Sequence, residues 1–66
     1  MNVEKKIGQY LKENGIKQIF VAEKAGITSS AMSDICNDKR QITVTEYYNV
    51  CKVLQLPLNY FLETAV

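Results

Sequence analysis

The sequence predicts a small all-α fold of five short helices. Apolar residues recur at three- and four-residue spacings with no alternating strand pattern. Turn-forming residues fall at Asn14-Gly15, Gly26 and Asn37 to Gln41, which cuts the chain into helix-length pieces. At 66 residues, the chain can bury only about 60 % of the surface it exposes when unfolded, so a locally connected helical core suits it best.

Val3, Ile7, Tyr10 and Leu11 share one face of a first helix, and Lys5, Lys6, Gln9, Lys12 and Glu13 fill the other. Asn14-Gly15 ends it, since glycine readily takes the left-handed conformation that closes a helix. The second helix runs from Lys17 or Gln18 to Ala25, with Val21, Ala22 and Ala25 inward and Gly26 as terminator. Thr28 is a plausible N-cap for a third helix, Ser29 to Asn37, that turns Met32 and Ile35 to the core. Ser30, Ser33, Asp34 and Asn37 fall three and four apart on its opposite face, with Ser29 beside them.

A polar segment, Asn37 to Gln41, precedes a fourth helix capped by Thr43 or Thr45 and carrying Val44, Tyr47, Val50, Cys51 and Leu54. Pro57 suits the first turn of a fifth helix, to Leu62, that buries Leu58, Phe61 and Leu62. No internal repeat or boundary divides residues 1–66, so a single domain is expected.

The 47 % apolar content supports a folded core. No stretch approaches the roughly 20 apolar residues of a membrane span, and the N-terminus lacks the apolar core of a signal peptide, so a cytoplasmic protein is expected. With no histidine and no CxxC, neither a metal nor another cofactor is expected, and Cys36 and Cys51 are expected to be free thiols. Cys51 reads as a core residue, and Cys36 lies nearer the exposed side. The absence of histidine, of a Gly-x-Ser-x-Gly elbow and of a phosphate loop leaves no activated nucleophile, so an enzyme is not expected.

The residues between Gln18 and Asn37 carry the functional reading. Small Ala22 allows a close helix crossing, Gly26 a sharp reversal, and Met32 and Ile35 pin the following helix to the core. From about Gly15 to Leu62, this pattern resembles the Cro/C1-type (XRE-like) helix-turn-helix family of phage repressors and bacterial transcriptional regulators. The resemblance is carried by Gln18, Val21-Ala22-Glu23-Lys24, Gly26-Ile27-Thr28, Met32-Ser33, Ile35, Asn37, Lys39-Arg40 and the tail from Leu54.

The resemblance implies a five-helix, lambda-repressor-like domain that binds double-stranded operator DNA as a homodimer. It implies base contacts from Ser29, Ser30, Ser33 and Asp34. Backbone contacts would come from Gln18, Thr28, Asn37, Lys39, Arg40 and Thr43. Positioning would thereby be separated from reading.

The chain departs from the family pattern in three places. The reading face has no Arg, Lys, Gln or Asn before Asn37 and includes Asp34; Asp38 stands where glycine is common; and Ile19 and Phe20 replace polar residues on the outer side of the second helix. That pair either packs on a neighbouring helix or forms a protein interface. Tyr47, Tyr48 and Tyr60 read as core or dimer-rim residues, because helices rather than a strand surface present them. With a formal charge of only +1, a second role also suits the chain: a helix-turn-helix protein that binds another regulator, as an antirepressor or co-repressor of a phage switch.

Overall fold

In a computed structural model, residues 3–62 are described. They form α1 (Val3–Glu13), α2 (Gln18–Ala25), α3 (Ser29–Cys36) and α4 (Val44–Leu54), with no strand among the described residues. The periodic stripes of the sequence become the packed faces. Ile7 and Leu11 of α1 meet Val21, Ala22 and Ala25 of α2, Met32, Ile35 and Cys36 of α3, and Val50 and Cys51 of α4 in one core. Fully burying a side chain such as Met32 or Ile35 contributes roughly 1.5–3 kcal/mol. Eight-residue helices such as α2 and α3 would not persist alone, so this burial is what sustains them.

The helix starts differ in a way that bears on function. Thr28 caps α3, its hydroxyl accepting from the Ala31 amide at 3.1 Å. Thr43 caps α4 in a full capping box: its hydroxyl accepts from Glu46 N–H, and Glu46 Oε1 accepts from Thr43 N–H at 3.0 Å. This makes Thr43, rather than Thr45, the cap. The N-cap of α2 is Lys17, whose side chain accepts nothing, so the first-turn amides of α2 have no side-chain acceptor.

All four helices end alike, in a left-handed residue followed by a hydrogen bond that reaches five residues back. The pairs are Ile16 N–H to Leu11 O, Ile27 N–H to Ala22 O, Lys39 N–H to Asp34 O and Leu56 N–H to Cys51 O, each at 2.8–2.9 Å. The left-handed positions are Gly15, Gly26, Asp38 and Gln55.

The expected fifth helix does not form. Residues 58–62 are turns, and Tyr60 N–H bonds back to Pro57 O at their start. Phe61 anchors the segment instead, buried with its ring edge-on to Tyr10, Tyr47 and Tyr60 at centroid distances of 5.0–6.3 Å. Tyr47 hydroxyl also donates to Leu58 O. Because a turn directs one side chain inward where a helix would present a stripe, Leu58 and Leu62 remain exposed, contrary to expectation. Val44 is 86 % exposed because it opens α4 ahead of the part that meets the core.

Cys36 also departs from its expected place. It is buried, with its backbone against α1 at Gly8; a Cβ on Gly8 would lie 2.6 Å from Cys36 O. Burial pushes the Cys36 thiol above its ordinary value, so it is a core group rather than a reactive one. Both cysteines are free thiols.

Candidate nucleic-acid interface

A three-residue connection from α2 (Gly26, Ile27 and Thr28) and packing against α1 and α2 hold α3 so that one side is core and the other is open. Met32 and Ile35 face inward. Ser29 and Ser30 are exposed, while Ser33 and Asp34 are half-buried on the same open side. Asn37 is tied to this face: its Nδ2 donates to Ser33 O at 2.9 Å and lies 3.4 Å from Ser33 Oγ. The open face is thus short side chains, two hydroxyls well exposed and one carboxylate partly shielded.

Beside it lies a groove of about 810 Å³ between α1, the start of α2 and the end of α3. It brings Gln18 and Asn37 together, although 19 positions separate them in the chain. Lys5, Gln9 and Lys12 of α1 share its wall with Glu13. The sequence reading took these α1 residues as solvent-facing and missed the groove. Their four- and three-residue spacing, a single polar stripe, was the available signal. Gly8, also in the groove wall, was missed as well. A glycine inside an amphipathic helix costs about 1 kcal/mol against alanine, which signals a close approach.

The exit loop divides its side chains between two tasks. Arg40 forms a two-pronged pair with Glu46, Nη1 to Oε1 at 3.0 Å and Nη2 to Oε2 at 2.9 Å. Glu46 also accepts from Thr43 N–H, and Glu4 Oε2 of α1 accepts from Ile42 N–H at 2.9 Å. The Arg40 guanidinium, followed by the Thr43 amide, holds the Glu46 carboxyl below its ordinary value. A phosphate would have to compete with Glu46 for Arg40. Lys39, by contrast, is exposed, and Thr28 and Thr43 keep hydroxyl hydrogens to donate while their oxygens serve as caps. Asp38 takes the left-handed conformation, φ 62°, that glycine would occupy more cheaply.

Ile19 and Phe20 are 61 % and 50 % exposed, so neither is absorbed into the core. Tyr48 and Tyr60 are exposed as well, while Tyr47 is half-buried.

Among the described residues there is no acidic, histidine or cysteine group able to hold a metal ion, and no helix is long and apolar enough to cross a membrane. A short α2, a left-handed reversal at Gly26 and a capped α3 with one open polar face define a helix-turn-helix domain. The family profile described as helix-turn-helix matches residues 7–61, and the chain belongs to that family, in its Cro/C1 (XRE-like) type. It is a family of DNA-binding regulators and not usually of enzymes. Comparison with curated proteins and with solved structures gives no match.

Proposed function

We propose that this protein is a sequence-specific DNA-binding transcriptional regulator of phage or prophage repressor type, acting in the cytoplasm as a homodimer on a palindromic operator. The supporting observation is the groove that joins Gln18 at the uncapped start of α2 to Asn37 at the end of α3, with Lys5 and Lys12 in its wall. A phosphate there meets free amides at a helix N-terminus and lysine charge at once. With α3 in the major groove, Gln18, Thr28, Asn37, Lys39, Arg40 and Thr43 grip the backbone, and Ser29, Ser30, Ser33 and Asp34 meet base edges. Serine hydroxyls donate to or accept from several bases, and Asp34 accepts from the cytosine amine. Two such helices in a dimer sit about 34 Å apart.

Mobility-shift titration against duplex fragments from the gene's own neighbourhood tests the reading. One fragment should be retained preferentially, with a salt slope equivalent to a few phosphates per subunit. Equal, weak binding to every fragment at low salt counts against it.

The exposed Ile19-Phe20 pair favours a second reading, in which the domain acts mainly by binding another regulator as an antirepressor or co-repressor. In that case Phe20→Ser abolishes regulation in a reporter strain while leaving DNA affinity intact.

A further inference from the structure

The outer side of α2 continues onto α4 as a second groove, of about 480 Å³, lined by Phe20, Lys24, Asn49, Lys52 and Val53. Phe20 and Val53 give it apolar surface, and its two charges are positive. Lys24 Nζ lies 5.9 Å from the centre of the Phe20 ring, and Lys52 Nζ lies 5.8 Å from that of the exposed Tyr48. Each ammonium is held over a π-face, which orients it without neutralising it. Neither lysine is paired with a carboxylate among the described residues. The groove therefore offers an apolar slot flanked by two unneutralised cations.

Charge and position together select the occupant. At about 100° per residue, Phe20 sits roughly 200° around α2 from Gln18, so this groove faces away from the one beside α3. Duplex DNA seated on α3 leaves it open. A second copy docked through the same patch would set Lys24 and Lys52 of each subunit against those of the other, because a two-fold interface pairs a surface with itself. Four cations in one contact repel.

We infer that the groove between α2 and α4 is a docking site for an acidic protein segment, which places an apolar side chain between Phe20 and Val53 and carboxylates against Lys24 and Lys52. This deepens the second reading above and rests on it.

The probe is a fluorescein-labelled helical peptide with one phenylalanine and glutamates three or four residues to each side. Its counterparts carry glutamine for glutamate or alanine for phenylalanine. With isotope-labelled protein, amide shifts should concentrate at Phe20, Lys24, Asn49, Lys52 and Val53. The double variant Lys24→Glu, Lys52→Glu should weaken the glutamate peptide at least about fivefold, and Lys24→Arg, Lys52→Arg should retain it. The charge-reversed variant should also keep its preferential duplex retention and stay folded, with a thermal midpoint only a few degrees lower, because a carboxylate replaces an ammonium in the last turn of α2 and of α4.

Equal affinity for the glutamine peptide, or shifts elsewhere on the molecule, overturns the proposal. So does loss of duplex retention on charge reversal, which would make the groove a DNA surface. A dimer that Phe20→Ser dissociates in sedimentation overturns it in favour of a second copy. If Phe20→Ser abolishes regulation with DNA binding intact but the glutamate peptide leaves the groove unperturbed, the acidic occupant is wrong and the second reading stands.

Discussion

The exits of α2 and α3 close with the same backbone hydrogen bonds, yet one is held by what it buries and the other by what reaches it from outside. After α2, left-handed Gly26 is followed by Ile27, only 7 % exposed and part of the core. After α3, left-handed Asp38 is followed by Lys39, which is exposed. The second exit has no apolar anchor of its own. It is fastened instead by Cys36 against Gly8, by Glu4 on the Ile42 amide and by Glu46 on Arg40 and Thr43. The difference teaches that a terminating motif specifies the chain path only. Moving the fastening to neighbouring elements leaves the loop beside α3 free to present a cation.

The sharpest way to break this comparison is at the buried anchor. Ile27→Ala should cost about 2–4 kcal/mol, read as a drop in the thermal midpoint by circular dichroism. Lys39→Ala, at the equivalent place, should leave that midpoint nearly unchanged. Equal losses would show that the two exits are fastened alike.

Next in size is Gly8→Ala, which forces a methyl group to within 2.6 Å of a backbone oxygen at the end of α3. A loss of about 1–3 kcal/mol in denaturant titration is expected, because backbone cannot step aside as a side-chain tip can. If the fastening from α1 is real, duplex affinity should fall with it.

Gly26→Ala should lose about 1–2 kcal/mol for conformation alone, since nothing lies within 4 Å of the added methyl and φ is 74°. The mirror-image substitution, Asp38→Gly, should relieve the left-handed strain at φ 62° and, on the reading proposed above, should tighten duplex binding by removing a negative charge from the loop. A destabilised Asp38→Gly would mean that its side chain carries part of the fastening.

The smaller effects are electrostatic. On the reading proposed above, Lys39→Ala should weaken duplex binding a few-fold and reduce the salt slope by about one per subunit. For Glu46, the folded-state value lies below the ordinary 4.5. Its contribution to stability is therefore complete above the unfolded-state value and is lost as pH falls through the lowered one. Between pH 7 and pH 3 the wild-type midpoint should fall more than that of Glu46→Gln.

Much of this was legible in the residues themselves. The stripes Ile7-Leu11, Val21-Ala22-Ala25 and Met32-Ile35 marked the packed faces, and Thr28, Gly26 and Thr43 marked helix limits, because period and cap chemistry are local. The Pro57 signal misled. It suits the first turn of a helix, but Phe61 gains more from a pocket of three tyrosines than a six-residue helix gains from its own hydrogen bonds.

Sequence by itself determined the class of fold, the span of the helix-turn-helix and the polar character of the open side of α3. Those follow from spacings of a few residues, within reach of one helical turn. Only the tertiary structure decided that Gln18 and Asn37 share a groove with Lys5 and Lys12, that Glu46 engages Arg40, and that Phe20 shares a groove with Asn49, Lys52 and Val53 of α4. Each depends on how helices cross, and a crossing is chosen by the whole core at once rather than by any one segment.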